Sequence, residues 1–386
     1  MIYADYNGSA PLCQDVQEYL SQRIVKGPFA NPNAIHFMGQ KVLMGMENAR
    51  AVCAKSLGTL PKHLYFNSGS TEGISHVFYS EVLTHFKEKK ILITSGIEHS
   101  AVVNSANHYA KYFNLEHRVL PCLSNGTVDF ELLKQWLAKD GEQVLLVSIM
   151  AANNETGVIQ PYKEIAQLCR KHTIPFLCDT TQLIGKDLFN FDESGVDYAV
   201  LSGHKIGAMT GTGILMVREP SRMIPMIIGG GQERNLRGGT QHYLGYETLA
   251  VALTEFDKKK LRLEELKENR LQFEKALQDK FPKLIILGGE ADRLATTSFI
   301  SYPGVHGQAV QMELESDDIF VTTSSACSDN SPTTSKVLKA MGVKDDVGRG
   351  AIRISLGLCS KGDEYSVILK SLTSAFNKLL KIDIHV

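Results

Sequence analysis

Short apolar runs alternate with amphipathic stretches through the first two thirds of the chain. Positions 64–66, 91–94, 143–150, 175–179, 198–201 and 213–217 are apolar and strand-like, while 73–86 and 161–172 carry helical patterns. Continuous apolar strands broken by helices predict an α/β architecture with a largely parallel sheet buried on both faces. From 246 to 280 the pattern predicts one long helix rich in Leu, Lys and Glu, with Leu261, Leu263, Leu266, Leu271 and Phe273 as its apolar positions. Its charged face reads as solvated surface. Beyond it, strands at 284–287, 297–302 and 319–321 and helices near 307–315 and 362–381 predict a smaller α+β domain. At 386 residues the chain is longer than one core usually absorbs, so two domains are expected. The division falls at 13–255 for a large α/β domain and 256–386, with the N-terminal segment 1–12, for a small one.

Charge and cysteine content narrow the function classes. With 41 basic and 42 acidic side chains, no global field favours nucleic acid or an anionic membrane. No apolar run approaches the ~20 residues of a membrane span. The start, Met1-Ile2-Tyr3-Ala4-Asp5-Tyr6, lacks a basic region followed by an apolar stretch, so no secretory signal is read there. Seven cysteines, an odd number without a Cys-x-x-Cys pair, speak against a disulfide framework and a closed zinc site. The expectation is a cytoplasmic protein without a metal, most of whose cysteines are small buried hydrophobes.

Polar clusters stand where the predicted strands end, and ligands of open α/β sheets collect at those ends. Ser202-Gly203-His204-Lys205 follows the strand at 198–201 and precedes a glycine-rich segment. A lysine so placed can bind an aldehyde cofactor covalently. Ser68-Gly69-Ser70-Thr71-Glu72 precedes a helix and can cradle a phosphate; the same residues also satisfy a helix cap with a capping acid. His99, after the strand at 91–94, can stack on an aromatic cofactor or serve structure alone. Asn153-Asn154-Glu155-Thr156-Gly157 reads equally as a turn. Asp179 ends a strand and can hold a pyridinium nitrogen protonated, or cap a helix; Gln182 follows three residues on. Arg353 alternates with apolar neighbours and suits a bidentate carboxylate clamp or an ordinary ion pair. Cys327 sits in Thr322-Thr323-Ser324-Ser325-Ala326-Cys327-Ser328-Asp329-Asn330-Ser331-Pro332, too polar for core, and reads as a nucleophilic thiol.

Taken in order, these clusters resemble the pyridoxal-phosphate-dependent cysteine desulfurases, a class V branch of the fold-type-I aminotransferases. The resemblance runs from Tyr3-Ala4-Asp5-Tyr6 past Arg353 and includes Asn31-Pro32, His36, Ser-Gly-His-Lys at 202–205, Arg-Gly-Gly-Thr at 237–240 and Ser-Ser-Ala-Cys at 324–327. It implies a seven-stranded sheet domain and the cofactor pyridoxal 5'-phosphate. It implies Lys205 as the Schiff-base lysine, with Ser70, Thr71, Ser202 and His204 on the phosphate and His99 on the ring. Asp179 is implied at the ring nitrogen and Gln182 at the ring hydroxyl oxygen. Asn154 and Arg353 are implied on the substrate carboxylate, and Cys327 as the catalytic thiol. Thr240 resembles the residue that reaches the neighbouring subunit's phosphate, which implies a homodimer. L-cysteine is the implied substrate, and an iron-sulfur scaffold or tRNA-thiolation protein the implied sulfur acceptor. Selenocysteine lyase chemistry and a non-catalytic, cofactor-bound docking subunit are the alternatives. The chain departs from the family after Lys205, where Gly207-Ala208-Met209-Thr210-Gly211-Thr212-Gly213 replaces the frequent Gly-Pro-Lys-Gly, and at Leu358-Cys359, where many members have Arg-Phe. With Val386 coming soon after the last predicted helix, the extension that some members use to dock a scaffold is expected to be absent.

Overall fold

The computed structural model describes residues 1–323 and 333–381. Its strands in the first two thirds are β1 (Ile2–Tyr3), β2 (Leu64–Asn67), β3 (Ile91–Ser95), β4 (Glu116–Leu120), β5 (Val144–Ser148), β6 (Phe176–Asp179), β7 (Tyr198–Ser202) and β8 (Gly213–Val217). β2 to β8 form one seven-stranded sheet in the order β2-β8-β7-β6-β5-β3-β4. Six of its strands point one way and β8 runs against them.

Side chains alternate across a strand, and both faces of this sheet are apolar. Leu64, Phe66, Ile93, Phe176, Leu201 and Ile214 join the core on one face. Their neighbours Tyr65, Leu92, Leu177, Val200 and Leu215 join the core on the other. Each such side chain contributes about 1.5–3 kcal/mol by leaving water. The edge strand β4 is the exception: Glu116 is exposed and His117 and Arg118 are half-buried. Charged side chains blunt a sheet edge against further pairing, and they also hide the strand from an apolar-run reading.

A second body is built from β9 (Ile285–Ile286), β10 (Thr297–Ser301), β11 (Ile319–Phe320), β12 (Thr322–Thr323) and β13 (Ile352–Ser355). β12-β13-β10-β9 is an antiparallel sheet, and β1 pairs with β11 in parallel. Its own apolar cluster includes Phe273, Leu277, Ile300, Ile354, Leu372 and Phe376, together with Ala4 from the N-terminal segment. Among the described residues no helix is long and apolar enough to cross a membrane.

The expected long helix at 246–280 is two helices, Tyr243–Lys259 and Leu263–Lys280, separated by a 3-10 turn at Lys260–Arg262. The turn is held by Arg262, whose guanidinium donates to Leu358 O at 3.0 Å and Ser360 O at 2.9 Å, while Leu261 is left almost fully exposed. The helix expected from 73 starts at Ser70, which puts Ser70 and Thr71 in its first turn.

Candidate active site

The carboxyl ends of β2, β3, β5, β6 and β7 lie along one edge of the sheet, and each is followed by one of the polar clusters. Ser68–Glu72 follows β2, Glu98 and His99 follow β3, Asn154 follows β5, Asp179 closes β6, and Ser202 closes β7 just before Lys205.

A chain of hydrogen bonds links three of these ends. The Ser70 N–H donates to Ser202 Oγ at 2.8 Å, and the Ser70 and Thr181 hydroxyls are 2.6 Å apart. Asp179 Oδ1 accepts from the Thr181 N–H at 3.0 Å and from the Thr181 hydroxyl. The helix Ser70–His85 has no side-chain cap at Gly69, so its first turn presents N–H groups to an anion. Gly69 has φ +148°, and a Cβ there would stand 3.3 Å from Ser202 Oγ, inside the cradle. Glu72 turns away from the cradle: it accepts from the Ser68 N–H at 2.9 Å and pairs with Arg237 at 2.9 Å. Burial pushes its carboxyl up, but these hydrogen bonds outweigh that and hold it below the usual range.

Lys205 extends from a 3-10 turn after β7, and its Nζ donates to Asn7 O at 2.8 Å and Gly8 O at 2.5 Å. Asn7 O also accepts from Gln182 Nε2 at 3.0 Å. The turn that carries Lys205 is packed against the N-terminal segment. Gly207, at φ +78°, would place a Cβ 3.0 Å from Cys13 N and Pro11 O, so the close approach requires glycine. His204 faces this segment, with Nδ1 3.1 Å from Ser9 Oγ. Burial, and then the charge of Lys205, lower its pKa, so its ring is neutral at neutral pH.

Arg353 on β13 brings the second body to the same place. Its guanidinium donates to Asn154 O at 2.8 Å and to Asp5 Oδ1 at 2.6 Å, while its buried Nε has no partner among the described residues. The ion-pair reading of Arg353 is therefore the one seen here. Asn154 reaches the arginine through its backbone; Asn153 holds the turn, accepting from Glu155 N at 2.9 Å and Thr156 N at 3.0 Å. His99 caps the helix Ser100–Phe113, accepting from Ala101 N at 3.1 Å, and lines an open cleft with Thr71, Ser75 and Ser100. Thr240 is exposed and makes none of these contacts. Cys327 lies outside the described residues.

Residues 2–366 match the family model described as Aminotransferase class-V. The chain belongs to that family. A cysteine desulfurase IscS of Dictyoglomus turgidum is 32% identical over 385 residues, covering 99% of this chain and 96% of its own. A solved structure titled as a NifS-like protein superposes with TM-score 0.89 at 31% identity, covering 98% of this chain and all of its own. Another, SspA in complex with cysteine, gives TM-score 0.79 at 29% identity over 92% of this chain and 99% of its own.

Class-V enzymes of this branch use pyridoxal 5'-phosphate, and the residues present fit that group. The uncapped helix and its serine hydroxyls suit a phosphate, buried Asp179 suits a pyridinium, and Lys205 supplies a primary amine. Three residues that no motif marked also belong to this class-V site. Asn7 joins Lys205, Gln182 and Lys186. Lys186, 6% exposed, follows Gln182 by four residues. Glu98 accepts from Ser95 Oγ and Met150 N, and its buried Oε2 has no partner among the described residues. Burial pushes Glu98 up to about 8, against those hydrogen bonds and with help from the Asp179 charge.

Proposed function

We propose that this class-V enzyme is a pyridoxal-phosphate-dependent cysteine desulfurase. It converts L-cysteine to L-alanine and leaves the sulfur as a persulfide on Cys327, from which an acceptor protein takes it. The observation that carries the reading is the pair of hydrogen-bonded chains along one sheet edge, one from Ser202 through Ser70 and Thr181 to Asp179, the other from Lys205 through Asn7 to Asn154 and Arg353.

In this reading Lys205 would hold the cofactor through its primary amine and, once freed, would move protons at Nζ. Ser70, Thr71, Ser202 and His204 would hold the phosphate, His99 would cover the ring, and Gln182 would donate to the ring hydroxyl oxygen. Asp179 would keep the ring nitrogen protonated. When bound, the cofactor supplies an electron sink for bonds broken at the substrate amino acid. Arg353, with Asn154, receives the substrate carboxylate; Asp5 holds the guanidinium until that carboxylate displaces it. The Cys327 thiolate attacks the substrate sulfur, the carbon–sulfur bond breaks with its electron pair left on carbon, and proton uptake gives alanine.

We place the domain division at 255/256, with 1–12 in the small domain, and infer a homodimer in which Thr240 completes the partner's phosphate site. We infer a cytoplasmic protein, supported by the lack of disulfides among the described cysteines. The functional test is a product assay. Purified protein given L-cysteine and a reductant is expected to yield alanine and sulfide in equal amounts. Turnover of selenocysteine alone, or no alanine at all, would overturn the assignment.

A further inference from the structure

Lys186 is a buried lysine without a carboxylate partner among the described residues. Its Nζ donates to Asn7 Oδ1 at 2.8 Å and to Gln182 Oε1 at 2.5 Å. A neutral amine has two N–H donors, and two acceptors are supplied. An ammonium has three, and the described residues provide no third acceptor. The charged groups facing it argue the same way: Lys205 and Arg353 repel a proton here, and Asp5 attracts one only weakly. Burial, then these two cations, hold Lys186 well below the usual lysine range.

The two acceptors are the two residues that arrange Lys205. With Gln182 Oε1 committed to Lys186, the amide must present Nε2 on its other side, where it donates to Asn7 O. With Asn7 Oδ1 likewise committed, the Asn7 side chain donates through Nδ2 to Thr297 Oγ1 at 3.0 Å, and the Asn7 backbone carbonyl accepts from Lys205.

We propose that Lys186 is a positioning residue of the reaction: as an uncharged amine it fixes the orientation of Gln182 and Asn7, and through them the donor offered to the cofactor and the seat of Lys205. The inference rests on the functional reading above for its catalytic consequence, but not for the state of the lysine.

Two measurements test it. In the cofactor-loaded enzyme, Lys186→Met should lower kcat about tenfold to a hundredfold with KM little changed. Lys186→Gln, which keeps N–H donors without a charge, should fold and recover part of that loss. Gln182→Met combined with Lys186→Met should lose less than the sum of the two single losses, because the lysine acts in part through the amide. Additive losses, or a Gln variant as slow as the Met variant, would overturn the positioning role.

The second measurement uses cofactor-free protein and urea unfolding across pH 7–10. The unfolded chain protonates Lys186 up to its ordinary value of 10.5 and the folded chain does not, so folding releases a proton and this contribution to stability rises with pH. Wild type should therefore gain stability relative to Lys186→Gln as pH rises. Parallel curves would show that the amine is charged and overturn the inference. A wild type that releases no sulfide from cysteine would instead fail the functional reading and leave these curves to stand.

Discussion

Asp179 and Glu98 are two carboxylates at one sheet edge with different tasks. Glu98, pushed up to about 8 mainly by burial, keeps its proton through neutral pH and adds little charge beside Asp179. Asp179 takes both hydrogen bonds of Thr181 and so faces the site in one orientation. Asp179→Ala should slow the chemical step about a hundredfold or more while weakening cofactor binding much less, because the phosphate cradle at Ser70 and Ser202 survives. Single-turnover kinetics at saturating cofactor, with a parallel cofactor titration, check this; an unchanged chemical rate would contradict the assigned role. At this scale the placement of Lys205, Asp179 and Gln182 was legible, because each stands at or just after a strand end within a motif. Asn7 and Lys186 were not legible, because their meaning lies in a contact between positions 179 apart. No local pattern reports that a lysine has neutral partners.

The elements were legible in proportion to their burial. β3, β5, β6, β7 and β8 are buried at every residue and announced themselves as apolar runs. β4, polar on the edge, did not, and the break at Lys260–Arg262 escaped because helical periodicity continues across it. The helix Phe37–Ser56 carries a different signal, since Phe37 and Met44 are about 70% exposed and Ile35 just before it is almost fully so. Exposed apolar side chains two turns apart on one helix suit an interaction site, and the occupant inferred here is a second copy, which would also bring Thr240 to its partner. Phe37→Asp with Met44→Asp should shift the protein from dimer to monomer in sedimentation, and cofactor affinity should fall with it. A fully active wild-type monomer at assay concentration would contradict the dimer.

Across the whole molecule, the residues proposed to hold the cofactor come from the large sheet and Arg353, proposed to receive the substrate, from the small one, with the N-terminal segment stitching them together. Asp5 pairs with Arg353, and Asn7 meets Lys205, Gln182 and Lys186. The class of fold was legible from strand and helix alternation, but the role of residues 1–12 in closing the site emerges only from tertiary contacts. The central claim is that sulfur leaves cysteine by way of Cys327, a residue identified from sequence and lying outside the described residues. Its most direct test is mass spectrometry of the cofactor-loaded protein after treatment with L-cysteine, on wild type and on Cys327→Ser. The account predicts added sulfur on the wild-type peptide containing Cys327, and a Cys327→Ser protein that keeps its yellow colour but releases almost no sulfide, since a hydroxyl forms no persulfide. Added sulfur on another cysteine, Cys359 foremost, or undiminished sulfide from Cys327→Ser, would contradict it.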